Sequence, residues 1–292
     1  MNKIGVVTDG AADLPEEFIQ KNQIVSVPVK MEWPEIENLP GNNIFQRVRE
    51  AEKRGMKTFG KTSQPSPKDF LIAFKKQLES FENIICITVT SKLSGTYNSA
   101  IQAKGFLSPE EAKRIFVIDS LNVSCGEGLL NFKAVGLIRQ GKNTEEIVKE
   151  IEKSVPNTTF YGMFMDPKWL EASGRISHTL ANWVRRVEKI RLRPLLGMKQ
   201  GLLKSMGIKR GAKSLPEALF KEIEGKTKKS REKGKKILVA ISHGDNIQKA
   251  EDLKRMIEGK LKGCEVVFIT LIDNVLAVLS GPDALVFGWY EE

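Results

Sequence analysis

Residues 84–100 read IICITVTSKLSGTYNSA. The run 84–89 is apolar, rich in β-branched side chains and too short for an independent helix, so it is expected to be a buried strand. TSKLSGT follows as a hydroxyl-rich turn, and TYNSAIQAKGF continues as a helix. A helix start leaves backbone N–H groups without intrahelical partners and carries partial positive charge. Beside hydroxyls at the carboxyl end of a buried strand, it makes a pocket for an anionic or polar head group. Turn and cap duty for Ser91, Ser94 and Thr96 is the competing explanation of the same residues.

The same order of strand, polar loop and helix recurs through the first half. Residues 4–8 (IGVVT) form a short apolar strand ending at Asp9-Gly10, and Asp13 with Pro15 marks a helix start. Residues 24–33 (IVSVPVKMEW) alternate like a strand, which Pro28 demotes to an edge or bulge. Residues 35–43 read as loop and 44–54 as a helix closed by Gly55. KTSQPSPKDFLIAFKKQL (61–78) is a second hydroxyl-rich loop opening onto a helix, with Ser66 as N-cap and Pro67 at the first helical position. Residues 114–120 (RIFVIDS) are a further strand. Residues 123–138 are a glycine-containing helix, and Thr144 is expected to cap a helix through Val155. Repetition of this unit implies a parallel sheet with helices on both faces. The carboxyl ends of its strands would carry Asp9, Thr62, Ser63, Ser91, Ser94, Asp119 and Ser120.

The second half reads differently. A strand at 159–165 precedes two short helices separated by a Ser173-Gly174-Arg175 turn. Strands 193–198 and 202–208 flank a Gln200-Gly201 hairpin signal. Helices at 214–224 and 247–261 alternate with strands at 237–242 and 265–271, and 275–278 with 284–289 reads as a last strand pair. The expected fold class is therefore α/β. It comprises a parallel-sheet domain over 1–156, with helices on both faces and the head-group loops, and a smaller α+β domain over 157–292 with a mixed or antiparallel sheet. Pro156-Asn157 is the expected hinge.

Composition narrows the function. The chain has 292 residues, 41% hydrophobic and 28% charged, which is ordinary for a soluble globular protein. No window approaches a membrane span, and Asp9 comes too early for a signal peptide, so a cytoplasmic protein is expected. Cys86, Cys125 and Cys264 are widely spaced, form no metal pattern and are expected to be reduced thiols. Net charge is +10, concentrated in the second half. Much of it lies in KEIEGKTKKSREKGKK (221–236), where interleaved acids and missing aromatics favour a solvated helix end and loop over a nucleic-acid surface. There is no P-loop, GxSxG elbow, HExxH or GxGxxG motif. A Ser94–His243–Asp119 triad has no support in spacing, and turn duty is preferred for His243 in SHGDN.

KTSQPSP (61–67), TSKLSGTYNSA (90–100), VIDS (117–120), SGRIS (173–177) and SHGDN (242–246), in this order, closely resemble the DegV family, as does the opening VTDGAADLP. The resemblance spans nearly the whole chain. It implies a two-domain, non-catalytic protein that holds one long-chain fatty acid in a tunnel between an α/β domain and a smaller second domain that closes it. In bacteria with a fatty acid kinase system, such a carrier presents the carboxyl group to an ATP-using, dihydroxyacetone-kinase-like enzyme for phospholipid synthesis. The family's carboxylate contacts map onto Thr62 and Ser94, with Ser63, Gly95 and Thr96 beside them. Its GGRI arginine maps onto Arg175, and a basic residue linked to the phosphate or the partner maps onto Arg210. No cofactor, metal or nucleic acid is implied, and no integral membrane segment, though a transient membrane-surface contact is compatible.

Four positions depart from the family pattern. Gly10 stands where serine is usual, and Ser173 stands before Gly174 where the family's glycine is doubled; two more lie near the end of the chain. Leu279 stands where the THTGPGALG-like segment has its histidine, and Asp283 replaces a glycine. A leucine cannot donate to a carboxylate or an acyl phosphate, so the departure bears on coupling to a kinase rather than on the tail. Burying about a dozen methylenes supplies roughly 10 kcal/mol at ~0.8 per CH2, before ordering costs. The alternative class is a Ser-dependent hydrolase or phosphotransferase on a lipid-like substrate, with Ser94 or Ser91 as nucleophile and a base still to be found.

Overall fold

The computed structural model describes residues 3–189, 193–209 and 214–292. The chain forms two compact units. The first comprises Met1–Lys30, Ser63–Thr158 and Gln200–Leu202; the second comprises Met31–Thr62, Thr159–Lys199 and Leu203–Glu292. The change of unit at Thr158 lies next to the expected hinge. The first unit is not continuous, however, because 31–62 joins the second.

The strands, in chain order, are β1 (Ile4–Asp9), β2 (Val25–Val27), β3 (Lys30–Glu32), β4 (Lys61–Ser63), β5 (Asn83–Thr88), β6 (Ile115–Asp119) and β7 (Thr159–Met163). They continue as β8 (Arg193–Lys199), β9 (Leu202–Lys209), β10 (Ile237–His243), β11 (Cys264–Leu271) and β12 (Leu285–Glu291). β3 and β4 pair as a small sheet of their own.

The first unit is built on a sheet ordered β2-β1-β5-β6, parallel throughout. Alternation along β5 sorts its side chains onto two faces. Ile84 and Cys86 pack with Phe70, Phe74, Ala100 and Ala103 of helices Pro67–Leu78 and Thr96–Gly105. Ile85 and Ile87 pack with Leu130, Ala134, Ile147 and Ile151 of helices Cys125–Arg139 and Thr144–Ser154. A parallel strand covered on both faces reads as a near-continuous apolar run, as Ile84, Ile85, Cys86 and Ile87 do, with buried Thr88 at the strand's end.

The second unit carries a mixed sheet ordered β11-β10-β12-β7-β8-β9. β10 runs parallel to β11 and antiparallel to β12. Helices Leu215–Glu232 and Ile247–Lys260 cover it through Leu219, Ile223, Leu253 and Ile257, against Val239, Ile241 and Phe287. The β8–β9 turn has both central residues at positive φ, Gln200 at 52° and Gly201 at 79°, as a tight hairpin demands.

Several local expectations need correction. Asp13 does not cap the first helix, which begins at Glu16 behind Pro15. Asp13 instead adopts φ 47° and accepts a hydrogen bond from the Ser124 hydroxyl. The expected strand 24–33 is split at Pro28 into β2 and β3, because proline offers no ladder N–H. Residues Pro34–Glu37 are a short helix inside the expected loop. Asn143, not Thr144, caps its helix, in a capping box with Glu146. The basic segment is helical through Glu232, beyond the expected 224, supported by the i,i+4 pair Lys228–Glu232. The final strand pair is instead helix Asn274–Ser280 followed by β12.

Segment 31–62 joins the second unit for physical reasons. Trp33 is 1% exposed, donates from its indole nitrogen to Thr58 Oγ1 at 3.0 Å and meets Trp169 with centroids 5.7 Å apart. Helix Ile44–Lys53 is held by Arg49, which pairs with Asp245 at 2.5 Å and Asp283 at 3.2 Å. Among the described residues no helix is long and apolar enough to cross a membrane.

Candidate functional site

In the first unit the site begins where β5 ends. Val89 N–H donates to Asp9 Oδ2 at 2.9 Å, and Ser91 N–H donates to Asp119 Oδ1 at 3.2 Å. Leu93 and Ser94 amides both donate to Thr90 O at 3.2 Å. Asp9 also accepts from Ala11 N–H at 2.9 Å, and Asp119 from Leu121 N–H at 3.0 Å. These two strand-end carboxylates therefore hold the 89–95 loop and are engaged by backbone. Ser120 is likewise engaged locally, with Asn122.

The loop delivers Ser94, Gly95 and Thr96 to the start of helix Thr96–Gly105. Ser94 Oγ lies 2.8 Å from Thr96 Oγ1 and accepts from Thr96 N–H at 3.3 Å. Turn duty is thus real, although Gly95 is the N-cap and no side chain caps the helix. A hydroxyl has one proton and two lone pairs, and Ser94 stays half-buried rather than sealed. Gly95 has a steric reason: a Cβ there would fall 2.1 Å from Gln64 Oε1. Gln64 lies across the helix start and donates toward Ser99 Oγ at 3.5 Å. Gln64 was part of the TSQPSP motif but carried no assigned role; only the steric demand at Gly95 discloses it.

In the second unit Thr62, on β4, accepts from Arg175 Nη2 at 3.4 Å. Arg175 Nη1 donates to Ser173 O at 2.7 Å. Arg175 follows helix Lys168–Ala172. That helix ends in a glycine-terminated cap: Gly174 N–H donates to Glu171 O at 2.9 Å and Arg175 N–H to Leu170 O at 3.2 Å, with Gly174 at φ 75°. The cap aims the Arg175 side chain. Burial lowers its pKa below the ordinary guanidinium value, and among the described residues no carboxylate lies within ion-pair distance of it. A half-buried guanidinium without an acidic partner can take an anion as a hydrogen-bonding partner.

The structure thus groups Ser94, Gly95 and Thr96 in one unit, and Thr62 with Arg175 in the other. Ser63 is exposed on β4. Arg210 lies outside the described residues. Ser94 meets a threonine rather than a histidine or carboxylate, so no base is disclosed for a nucleophile. His243 Nδ1 accepts from Asn246 N–H at 3.2 Å, the turn duty its sequence suggested, and burial lowers its pKa. No group of His, Cys, Asp or Glu among the described residues is arranged to hold a metal ion. Leu279 is half-buried on helix Asn274–Ser280.

Comparison with known proteins follows this geometry. A family model described as an uncharacterised protein, DegV family, matches residues 3–292. A protein named fatty acid-binding protein, from Thermotoga maritima, is 30% identical over 298 residues, covering 98% of this chain and 97% of that protein. A DegV domain-containing protein of Clostridium acetobutylicum is 40% identical over 185 residues, 61% of this chain and 63% of that relative. Among solved structures, a Thermus thermophilus DegV family protein described by its fatty acid binding superposes with a TM-score of 0.82 at 25% identity, covering 99% of this chain and 100% of that one. The Thermotoga and Thermus proteins are named for binding fatty acid, not for a reaction. The chain belongs to the DegV family.

Proposed function

We propose that the protein is a carrier for one long-chain fatty acid, with Thr62 and Arg175 as carboxylate-binding residues and Ser94, Gly95, Thr96 and the helix-start amides as further candidates for that role. The single observation that carries this reading is Arg175, half-buried, hydrogen-bonded to Thr62 and lacking a carboxylate partner among the described residues. Such a group favours a negatively charged ligand head. Relatives and a structural neighbour named for fatty acid binding supply the ligand class. The acyl tail occupies an apolar tunnel. The exposed carboxyl end is then offered to a fatty acid kinase that feeds phospholipid synthesis in the cytoplasm, with transient membrane-surface contact during loading. Arg210 is assigned to the partner or the phosphate, and Ser63 to the carboxylate beside Thr62.

The test is native mass spectrometry of the purified chain, followed by titration with oleate and palmitate. One long-chain acid per chain is expected. Recovery of lipid-free protein that also refuses both added acids overturns the proposal. Thr62→Ala with Ser94→Ala is expected to weaken binding by about 2–3 kcal/mol in total, the loss of two partly buried hydrogen bonds to a charged group.

A further inference from the structure

Arg175 keeps its charge unneutralised although an acid, Glu171, lies one turn before it in the chain. The reason is visible on the next helix, His178–Lys189. Glu171 is gripped there by two groups at once: Arg185 Nη2 pairs with its Oε2 and His178 Nδ1 with its Oε1. The grip is cross-braced. Asn182 Nδ2 lies 2.9 Å from His178 Nε2, and Arg185 Nη1 donates to Asn182 Oδ1 at 3.2 Å. Glu171, His178, Asn182 and Arg185 therefore form one polar network spanning the Ser173–Ser177 loop that carries Arg175. Both carboxylate oxygens of Glu171 are occupied from the same side.

We infer that Arg185 is a positioning residue for the anion site: it sequesters the Glu171 carboxylate, so that Arg175 is left to an incoming anion instead of being paired within the chain. This rests on the reading of Arg175 as a carboxylate receptor. Arg is suited to the task because its planar fork holds a carboxylate in fixed geometry and never loses its proton. His178, on an exposed face, holds the same carboxylate through Nδ1 only. A freed Glu171 would be the nearest acid in sequence to a half-buried guanidinium, and a tethered competitor acts at high effective concentration. The network therefore controls occupancy of the site without touching the ligand.

The experiment compares wild type, Arg185→Gln, Glu171→Gln, the double variant and Arg185→Lys. Oleate affinity is measured by displacement of a fluorescent fatty acid, and the Arg175 side-chain Nε–H resonance is followed by NMR without ligand. Arg185→Gln is expected to weaken oleate binding about tenfold and to shift the ligand-free Arg175 resonance. The double variant is expected to restore both, because the competitor is gone. Glu171→Gln alone is expected to bind as wild type, and Arg185→Lys to lie near it. A double variant as weak as, or weaker than, Arg185→Gln overturns the inference, since it marks a role in folding the loop. An Arg175 resonance unmoved by Arg185→Gln overturns it even if wild type binds no fatty acid; failure of wild type to bind oleate instead removes the carrier reading.

Discussion

Glu127 offers a direct thermodynamic test of the first unit. It is completely buried, at 0% exposure, on helix Cys125–Arg139. Thr8 Oγ1 donates to its Oε1 at 3.2 Å, and Asn131 Nδ2 donates to Thr8 Oγ1 at 3.0 Å. Oε2 has no hydrogen-bond partner among the described residues. Burial first, and then the nearby Asp9 carboxylate, push the Glu127 pKa well above the ordinary range, against a smaller lowering by Thr8. The unfolded chain releases this proton near pH ~4.3, whereas the folded chain keeps it. Above that pH folding takes up one proton, so stability falls as pH rises toward the folded pKa. The slope is about 1.4 kcal/mol per pH unit. Glu127→Gln has no proton to take up, and its side-chain oxygen still accepts from Thr8. An unsatisfied amide in place of Oε2 costs about 1–3 kcal/mol at every pH, but the Glu127-specific slope disappears. Urea unfolding of both proteins at pH 5, 6 and 7 is the assay. The difference in unfolding free energy should move in favour of the variant as pH rises from 5 to 7, by at most about 1.4 kcal/mol per pH unit. Other titrating groups cancel in that difference. Two pH profiles that run parallel would refute the claim that Glu127 is buried as a neutral acid.

Two further outcomes concern the second unit. Gly281 sits at φ 66° and ψ 176°, a region closed to other residues, and a Cβ there would lie 2.2 Å from Trp169 Cδ1. Gly281→Ala is expected to cost about 3 kcal/mol, read as a lower thermal midpoint with an altered tryptophan emission; an unchanged midpoint would contradict the close approach. Arg49→Met removes the shared partner of Asp245 and Asp283 and should cost about 1–2 kcal/mol, discounted for partial exposure. Arg49→Lys should recover part of that loss, and equal stability of all three proteins would count against the network.

The sequence disclosed what depends on local pattern. Period and punctuation placed β5, the Thr96–Gly105 helix, the Ser66–Pro67 helix start and the Gln200–Gly201 hairpin, because each is decided within a few residues. Several of the expectations that failed depend on distant partners or on short runs without a distinguishing period. Asp13 has the residue type of a cap, yet Ser124 engages it from another part of the chain. Residues 275–278 (VLAV) fit a strand as well as a helix, since a short apolar run has no distinguishing period. The fold resolves them as a helix capped by Asp273, whose side chain accepts from Val275 N–H at 2.9 Å. Segment 31–62 follows strand-like residues in the first half, and only Trp33 and Arg49, meeting partners far along the chain, assign it to the second unit. The candidate site shows the same division. Ser94, Gly95 and Thr96 could be read as a loop motif, whereas the isolation of Arg175 is a property of space that no spacing encodes.

The departures from the family pattern at 279–283 are best understood together. Asp283 occupies φ 63°, the left-handed region where the family's glycine is at ease and an aspartate is among the less penalised residues. The strain is offset by what the carboxylate gains. Arg49 pairs with it at 3.2 Å and Lys249 approaches to 3.7 Å, while its backbone N–H donates to Gly244 O at 2.8 Å. The aspartate therefore stitches the turn before β12 to helix Ile44–Lys53 and to the SHGDN loop. Leu279 lies in the helix just before that turn and removes one hydrogen-bonding side chain from its surroundings. Replacement of a donor by a leucine, beside a glycine turned into an ion-paired anchor, moves this segment from ligand chemistry toward scaffold. On the proposed carrier reading, Arg175 and Thr62 then remain as head-group contacts of the second unit, and the guanidinium's freedom from its own neighbouring acid becomes the property on which the proposal turns.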